Sequence, residues 1–163
     1  MKQIQFKANI TGVGNYLPEN ILTNDDIEKL VDTSDEWIQS RTGIRERRIA
    51  RTGEASAEMS THAVHNLMEN YKLKADEIDA IIVATITPDM MFPSTAALVQ
   101  KNLNAQNAWG YDLSAACSGF LFALQSGSAL ISAGQCKKVI VIGVDTMSSI
   151  LDFTDRNTCI LFG

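Results

Sequence analysis

The chain has 163 residues, 45% hydrophobic and 20% charged, with a formal net charge of -5, so it can build a globular core and is not disordered as a whole. The acidic balance argues against a nucleic-acid binder, whose affinity rests on clustered Lys and Arg. No apolar run reaches the length of a bilayer span and the N-terminus lacks a signal-peptide core, so no membrane association and a cytoplasmic location are expected.

In chain order, "ANITGVGNYLP" alternates apolar residues and glycines up to Pro18, which predicts a buried strand and a turn. "TNDDIEKLV" predicts a short helix, with Thr23 as N-cap and Asp26 three residues on. "TSDEWIQSRTG" predicts a second, capped by Thr33, with Glu36 three residues later and Gly43 as its left-handed stop. An irregular arm, "IRERRIARTGE", follows.

From about Ala55 to Leu73, Met59, Ala63, Leu67, Met68 and Tyr71 recur at helical spacing, the mark of an amphipathic helix. "IDAIIVATIT" is a β-branched run suited to a strand covered on both faces. "FPSTAALVQKNL" restarts a helix with Pro93 near its first turn. A short strand around "AWGYDL", a helix from about Cys117 to Ser132 closed by Gly134, and the strand "KVIVIGVD" complete the series. The alternation predicts an α/β fold: a mostly parallel sheet with helices on both faces. "DFTDRNTCILFG" reads as an unfinished strand, so the sequence is expected to be one half of a longer architecture.

Cys117, Cys136 and Cys159 include no CxxC pair, and neither a disulfide framework nor a zinc site is expected. Cys117 falls between a strand and a helix N-terminus, where the positive dipole end favours thiolate. Ala115 and Gly119 flank it as in the G-x-S-x-G elbow. A buried packing cysteine is the competing reading, and the local pattern leaves both open. His62 and His65, three residues apart, are read as ordinary surface residues, since no third metal ligand follows and neither is well placed as a base. A cysteine hydrolase is disfavoured for that reason. Arg41, Arg45, Arg47, Arg48 and Arg51 cluster after Trp37. Arginine forks suit phosphates and a tryptophan face suits a purine, whereas a solvated arm paired with Glu36, Glu46 and Glu54 is the plainer alternative.

Four segments, "GNYLPENILTNDDIEKLVDTSDEWIQSRTGIRERRIA", "FPSTAALVQ", "DLSAACSGFLFAL" and "DRNTCILFG", occur in the order of the signature segments of β-ketoacyl-acyl carrier protein synthase III, and the chain resembles the N-terminal half of that family. The resemblance implies one half of a thiolase-like fold over residues 1–163, its last antiparallel strand missing or incomplete, with a coenzyme A-binding arm over 33–55 and the C-terminal half absent. It implies an initiating condensing enzyme of type II fatty-acid synthesis. An acyl group moves from coenzyme A to Cys117 and is condensed with malonyl-acyl carrier protein as CO2 leaves.

By the same resemblance, Trp37 and Arg156 sandwich the adenine of coenzyme A, and Thr33 and Arg41 contact the same nucleotide. Phe92 and Met147 line the acyl pocket, Phe92 that of a partner across a homodimer. No metal or separate cofactor is implied, since coenzyme A arrives as substrate. The family's catalytic His, Asn and oxyanion-hole glycine belong to the second half. The 163 residues alone are therefore expected not to complete condensation, and to expose apolar surface or self-associate. A hydroxymethylglutaryl-CoA or polyketide-type synthase and a non-catalytic fragment are the alternatives.

Overall fold

A computed structural model describes residues 7–162. The described residues form two compact units. One comprises the residues up to Tyr16 with Ala55–Asp145; the other comprises Leu17–Glu54 with the residues from Thr146 onward.

In the first unit the apolar run becomes β3 (Ala80–Ala84), buried at all five positions. It is the central strand of a sheet ordered β4-β3-β5, with β4 (Trp109–Leu113) and β5 (Val139–Gly143) both parallel to it. Alternation divides the run between two cores. Ile81 and Val83 join Val64 of α3 (Ser56–Tyr71) and Ala96, Val99 and Leu103 of α4 (Thr95–Leu103). Ile82 and Ala84 join Ala123 and Leu130 of α5 (Gly119–Ser132). Helices thus cover both faces of a parallel sheet, as expected, and no antiparallel strand joins it among the described residues.

α4 begins at Thr95 after the N-cap Ser94, so Pro93 precedes the helix and lies outside its first turn. Its first four amides all find acceptors. Thr95 N and Ala96 N donate to the two Asp112 oxygens at 2.7 and 2.8 Å, Ala97 N to Ser94 Oγ at 3.2 Å, and Leu98 N to the Ser94 carbonyl at 3.1 Å. A Cβ at Gly110 would stand 2.5 Å from the Ile81 carbonyl oxygen and 3.1 Å from Ala96 Cβ, so only glycine fits there between β3 and α4.

The N-terminal strand is a correction. Residues 7–18 form no strand, and Ile10 and Val13 are exposed. The glycines serve close approach instead: a Cβ on Gly14 would lie 2.5 Å from the Ala63 carbonyl oxygen and 2.7 Å from Leu67 Cβ, so the backbone rests directly on α3. A segment held against a helix has no neighbouring strand to complete a ladder.

In the second unit, β1 (Asn20–Thr23) pairs antiparallel with β2 (Glu46–Ile49), so part of the supposed irregular arm is strand. Thr23 caps α1 (Asn24–Glu28) in a capping box with Asp26, as expected. α2 (Asp35–Thr42) is capped by Ser34 and not by Thr33: Ser34 Oγ accepts from Trp37 N at 3.1 Å. Gly43 ends it at φ 74°, in the left-handed region where glycine is unstrained. The segment after residue 151 forms turns, where a strand was expected. Asp152 accepts from Thr154 N and Asp155 from Asn157 N, short-range bonds that compete with an extended backbone. Cys159 and Ile160 are nonetheless buried with Ile27 and Ile38, beside Trp37 and Phe153.

Candidate active site and nucleotide-binding residues

The three parallel strands end in register, Ala84 opposite both Leu113 and Gly143. This carboxyl end is where open α/β sheets place ligands. Asp145 ties it together, accepting from Ile86 N at 2.8 Å and Thr85 Oγ1 at 3.1 Å. From the end of β4 the chain enters a one-turn 3-10 helix, Ala116–Ser118, and then α5. Cys117 is in that turn and is exposed. Ala116 before it has φ 46°, a left-handed conformation that is strained for a non-glycine residue and clusters at functional sites.

Ser118 turns its hydroxyl back to the Ala115 carbonyl at 2.8 Å and makes no side-chain cap on α5. Cys117 therefore precedes a helix N-terminus whose positive end no side chain of the N-cap residue covers. The small residue after it has a reason the elbow pattern did not anticipate. A Cβ on Gly119 would lie 3.2 Å from Ala84 Cβ, so it is β3 that crowds a side chain there.

The other thiols are buried. Burial pushes Cys136 up from the ordinary thiol value, with Asp79 adding to it. Burial pushes Cys159 up as well, against the opposing pull of Arg47. Thiols held protonated out of solvent are poor nucleophiles. His62 and His65 are exposed on α3; His62 stacks on Tyr16 with centroids 4.8 Å apart and lies 3.7 Å from Glu58 Oε1. Phe92 lies in the same unit as Cys117, on the loop after β3, and is 87% exposed.

The remaining candidates belong to the second unit. Trp37 is half-buried on α2, with the Arg156 guanidinium carbon 4.6 Å and that of Arg41 5.6 Å from its ring centroid. Sequence reasoning named all three, and the fold brings them together. Thr33 is nearby in sequence, its hydroxyl buried and without a hydrogen-bond partner. Met147 is half-buried in a 3-10 turn, Met147–Ser149.

The arginine arm is not uniformly solvated. Arg48 pairs with Glu46 at 3.4 Å at the surface, but Arg47 is 3% exposed. Burial lowers its affinity for the proton, partly offset by Cys159. Its partners are Asn24 Oδ1 and the Ile160 carbonyl. The sequence named Arg47 only as one of five clustered arginines and did not name Asn24, because neither its burial nor the contact between them has a local signature.

A parallel sheet covered on both faces, with a cysteine in the turn after a strand end, is the architecture of a thiolase-like half. The family described as 3-oxoacyl-[acyl-carrier-protein (ACP)] synthase III matches residues 111–163. The β-ketoacyl-[acyl-carrier-protein] synthase III of Chlorobaculum tepidum is 59% identical over 158 residues, covering 96% of this chain and 48% of that protein. The crystal structure of 3-oxoacyl-[acyl-carrier-protein] synthase III from Aquifex aeolicus VF5 superposes with a TM-score of 0.91 at 51% identity, covering 97% of this chain and 50% of that one. The priming β-ketosynthase of the R1128 polyketide biosynthetic pathway gives a TM-score of 0.92 at 34% identity, covering 99% and 49%.

The resemblance read from the sequence therefore holds: along nearly all of its length the chain matches β-ketoacyl-[acyl-carrier-protein] synthase III. It spans about half the length of the curated relatives it matches.

Proposed function

We propose that these residues supply the nucleophile and the nucleotide-binding surface of an initiating condensing enzyme of type II fatty-acid synthesis, acting in the cytoplasm as a homodimer. The Cys117 thiolate attacks the carbonyl carbon of an acyl-coenzyme A thioester, and coenzyme A leaves as its thiolate, which takes a proton from water. Loss of CO2 from malonyl-acyl carrier protein then provides a carbanion that attacks the Cys117 thioester. 3-Oxoacyl-acyl carrier protein departs and the thiolate is restored. The observation that carries this reading is the exposed Cys117 in the strained turn between β4 and α5, within the segment that matches the family.

Coenzyme A is held at its adenine by Trp37 and Arg156, with Thr33 and Arg41 beside it. The present 4.6 Å between Arg156 and the Trp37 ring is a closed slot. An adenine stacked on both needs about 7 Å, two contacts of about 3.5 Å each, so Arg156 swings outward as the nucleotide enters. By the family resemblance, Met147 lines the acyl pocket and Phe92 reaches that of the other protomer of the homodimer. The family resemblance places the partners for decarboxylation and an oxyanion-hole glycine in the other half. Loss of oxyanion donors alone costs about 10²–10³ in turnover, so the 163 residues by themselves accept an acyl group without completing condensation.

Intact-mass analysis after incubation with acetyl-coenzyme A tests this. One acetyl adduct is expected on the wild-type chain and none on Cys117→Ser. An unmodified wild-type chain at saturating donor refutes the nucleophile assignment, and family-like steady-state turnover by this chain alone refutes the need for the other half. A second reading, priming of polyketide synthesis, draws support from the R1128 neighbour. A comparison of acyl-coenzyme A donors in the acylation assay separates the two.

A further inference from the structure

Arg47 is a buried cation whose hydrogen-bond partners include no carboxylate, an arrangement that is costly unless every proton is well placed. Its Nε is left without a partner, and both groups that its fork reaches are neutral. The fork instead joins separate segments. Nη1 donates to Asn24 Oδ1, and Nη2 donates to the Ile160 carbonyl at 3.3 Å. Asn24, itself 1% exposed, donates Nδ2 to Asp35 Oδ1 at 2.7 Å and to the Ile44 carbonyl at 2.8 Å.

Asp35 is the first residue of α2 and lies two positions before Trp37. Ile160 follows Arg156 by four positions and is buried in the same cluster that Trp37 packs against. A continuous strut, Asp35 to Asn24 to Arg47 to Ile160, thus connects the helix carrying the tryptophan to the turns carrying the arginine that faces it.

We propose that Arg47 is a positioning residue for nucleotide recognition, setting the separation and tilt of Trp37 and Arg156 through its bonds to Asn24 and Ile160. The assignment rests on the reading of Trp37 and Arg156 as the adenine site. Lysine cannot replace the fork, because a single ammonium on a flexible stem does not hold two divergent acceptors in fixed geometry. Methionine fills similar space without a buried charge and cuts the strut outright.

The test is calorimetric titration of coenzyme A into the chain and into Arg47→Met, Arg47→Lys, Trp37→Ala and the Arg47→Met/Trp37→Ala pair, with circular-dichroism melts of each. Both Arg47 variants are expected to remain folded and to weaken coenzyme A by about 3- to 30-fold, the range of a lost cation–π contact. In the Trp37→Ala background Arg47→Met is expected to add nothing, since its effect passes through that ring. Phosphopantetheine, which lacks the nucleotide, should bind wild type and Arg47→Met alike.

Wild-type affinity in both Arg47 variants, with Trp37→Ala weakened, overturns the assignment alone. An equal loss from Arg47→Met with and without Trp37 also overturns it, as does loss of the fold in both single variants. Unchanged affinity in Trp37→Ala, or no binding by wild type, overturns the adenine-site reading and the assignment with it.

Discussion

Replacing Asp112 tests how the sheet and α4 are coupled. Asp112 lies on β4, yet its carboxylate accepts from the first two amides of α4, at 2.7 and 2.8 Å. Thr95 and Ala96 are both fully buried, so water cannot take over as acceptor. Asp112→Ala leaves two buried N–H groups unsatisfied. At about 1–3 kcal/mol each the cost is about 2–6 kcal/mol, a large part of the total stability of a domain of this size.

Asp112→Asn keeps one carbonyl oxygen but turns an NH2 toward the second amide, so it should lose at least about 1–3 kcal/mol despite near-identical shape. Ser94→Ala removes only the third acceptor and should cost about 1 kcal/mol. Urea unfolding followed by circular dichroism reads these directly. With a slope of about 2 kcal/mol per molar, Asp112→Ala shifts the midpoint by about 1–3 M. A change below about 0.5 kcal/mol in Asp112→Ala, or an Asn variant as stable as wild type, would refute the reasoning, because neither leaves room for two buried orphan amides.

Three further outcomes follow from geometry elsewhere. Gly110→Ala should destabilise by about 1–3 kcal/mol or more, since its Cβ meets a backbone oxygen that cannot rotate away; a urea midpoint equal to wild type would contradict this. Backbone hydrogen bonds from Lys138 and Lys137 hold the Asp79 carboxyl below the usual range, so its contribution is complete above about pH 4 and fades as pH falls through the lowered folded-state value. Asp79→Asn should therefore be less stable than wild type at pH 7, with the gap narrowing by pH 3; a pH-independent gap would contradict it. Ser34→Ala should cost about 1 kcal/mol as a lost cap, whereas Thr33→Val, which removes a buried hydroxyl without a partner, should be neutral or stabilising in thermal melts.

What the sequence made legible was set by patterns that report on one element at a time. β3 announced itself because five consecutive buried positions need apolar side chains on both faces, and Thr23 with Asp26 announced α1 because the capping box is wholly local. Thr33 and Ser34 are adjacent and chemically alike, so choosing the cap required knowing which oxygen faces the Trp37 amide. The glycines of the N-terminal segment read as strand punctuation because the pattern carries no trace of α3 lying against them.

The candidate site divided in the same way. Cys117 and Trp37 were visible in local patterns and Arg156 only through the motif resemblance, while the contacts of Arg47 to Asn24 and Ile160 span 23 and 113 positions and have no local signature. Gly119 was legible as a small residue beside Cys117, but its packing against Ala84 was not.

The second unit is assembled from two stretches of chain separated by the whole of the parallel sheet. On the ribosome, Ile27 and Ile38 emerge long before Cys159 and Ile160, the residues that complete their core. Arg47 waits 113 positions for the Ile160 carbonyl, about 6–23 s at ordinary elongation rates. Until then Ile27 and Ile38 lack these two late-made partners, whereas β3, β4 and β5 are all synthesised before them. The three strands of the sheet that carries Cys117 are therefore all made before the core of the second unit can close, although that unit's helices emerge first.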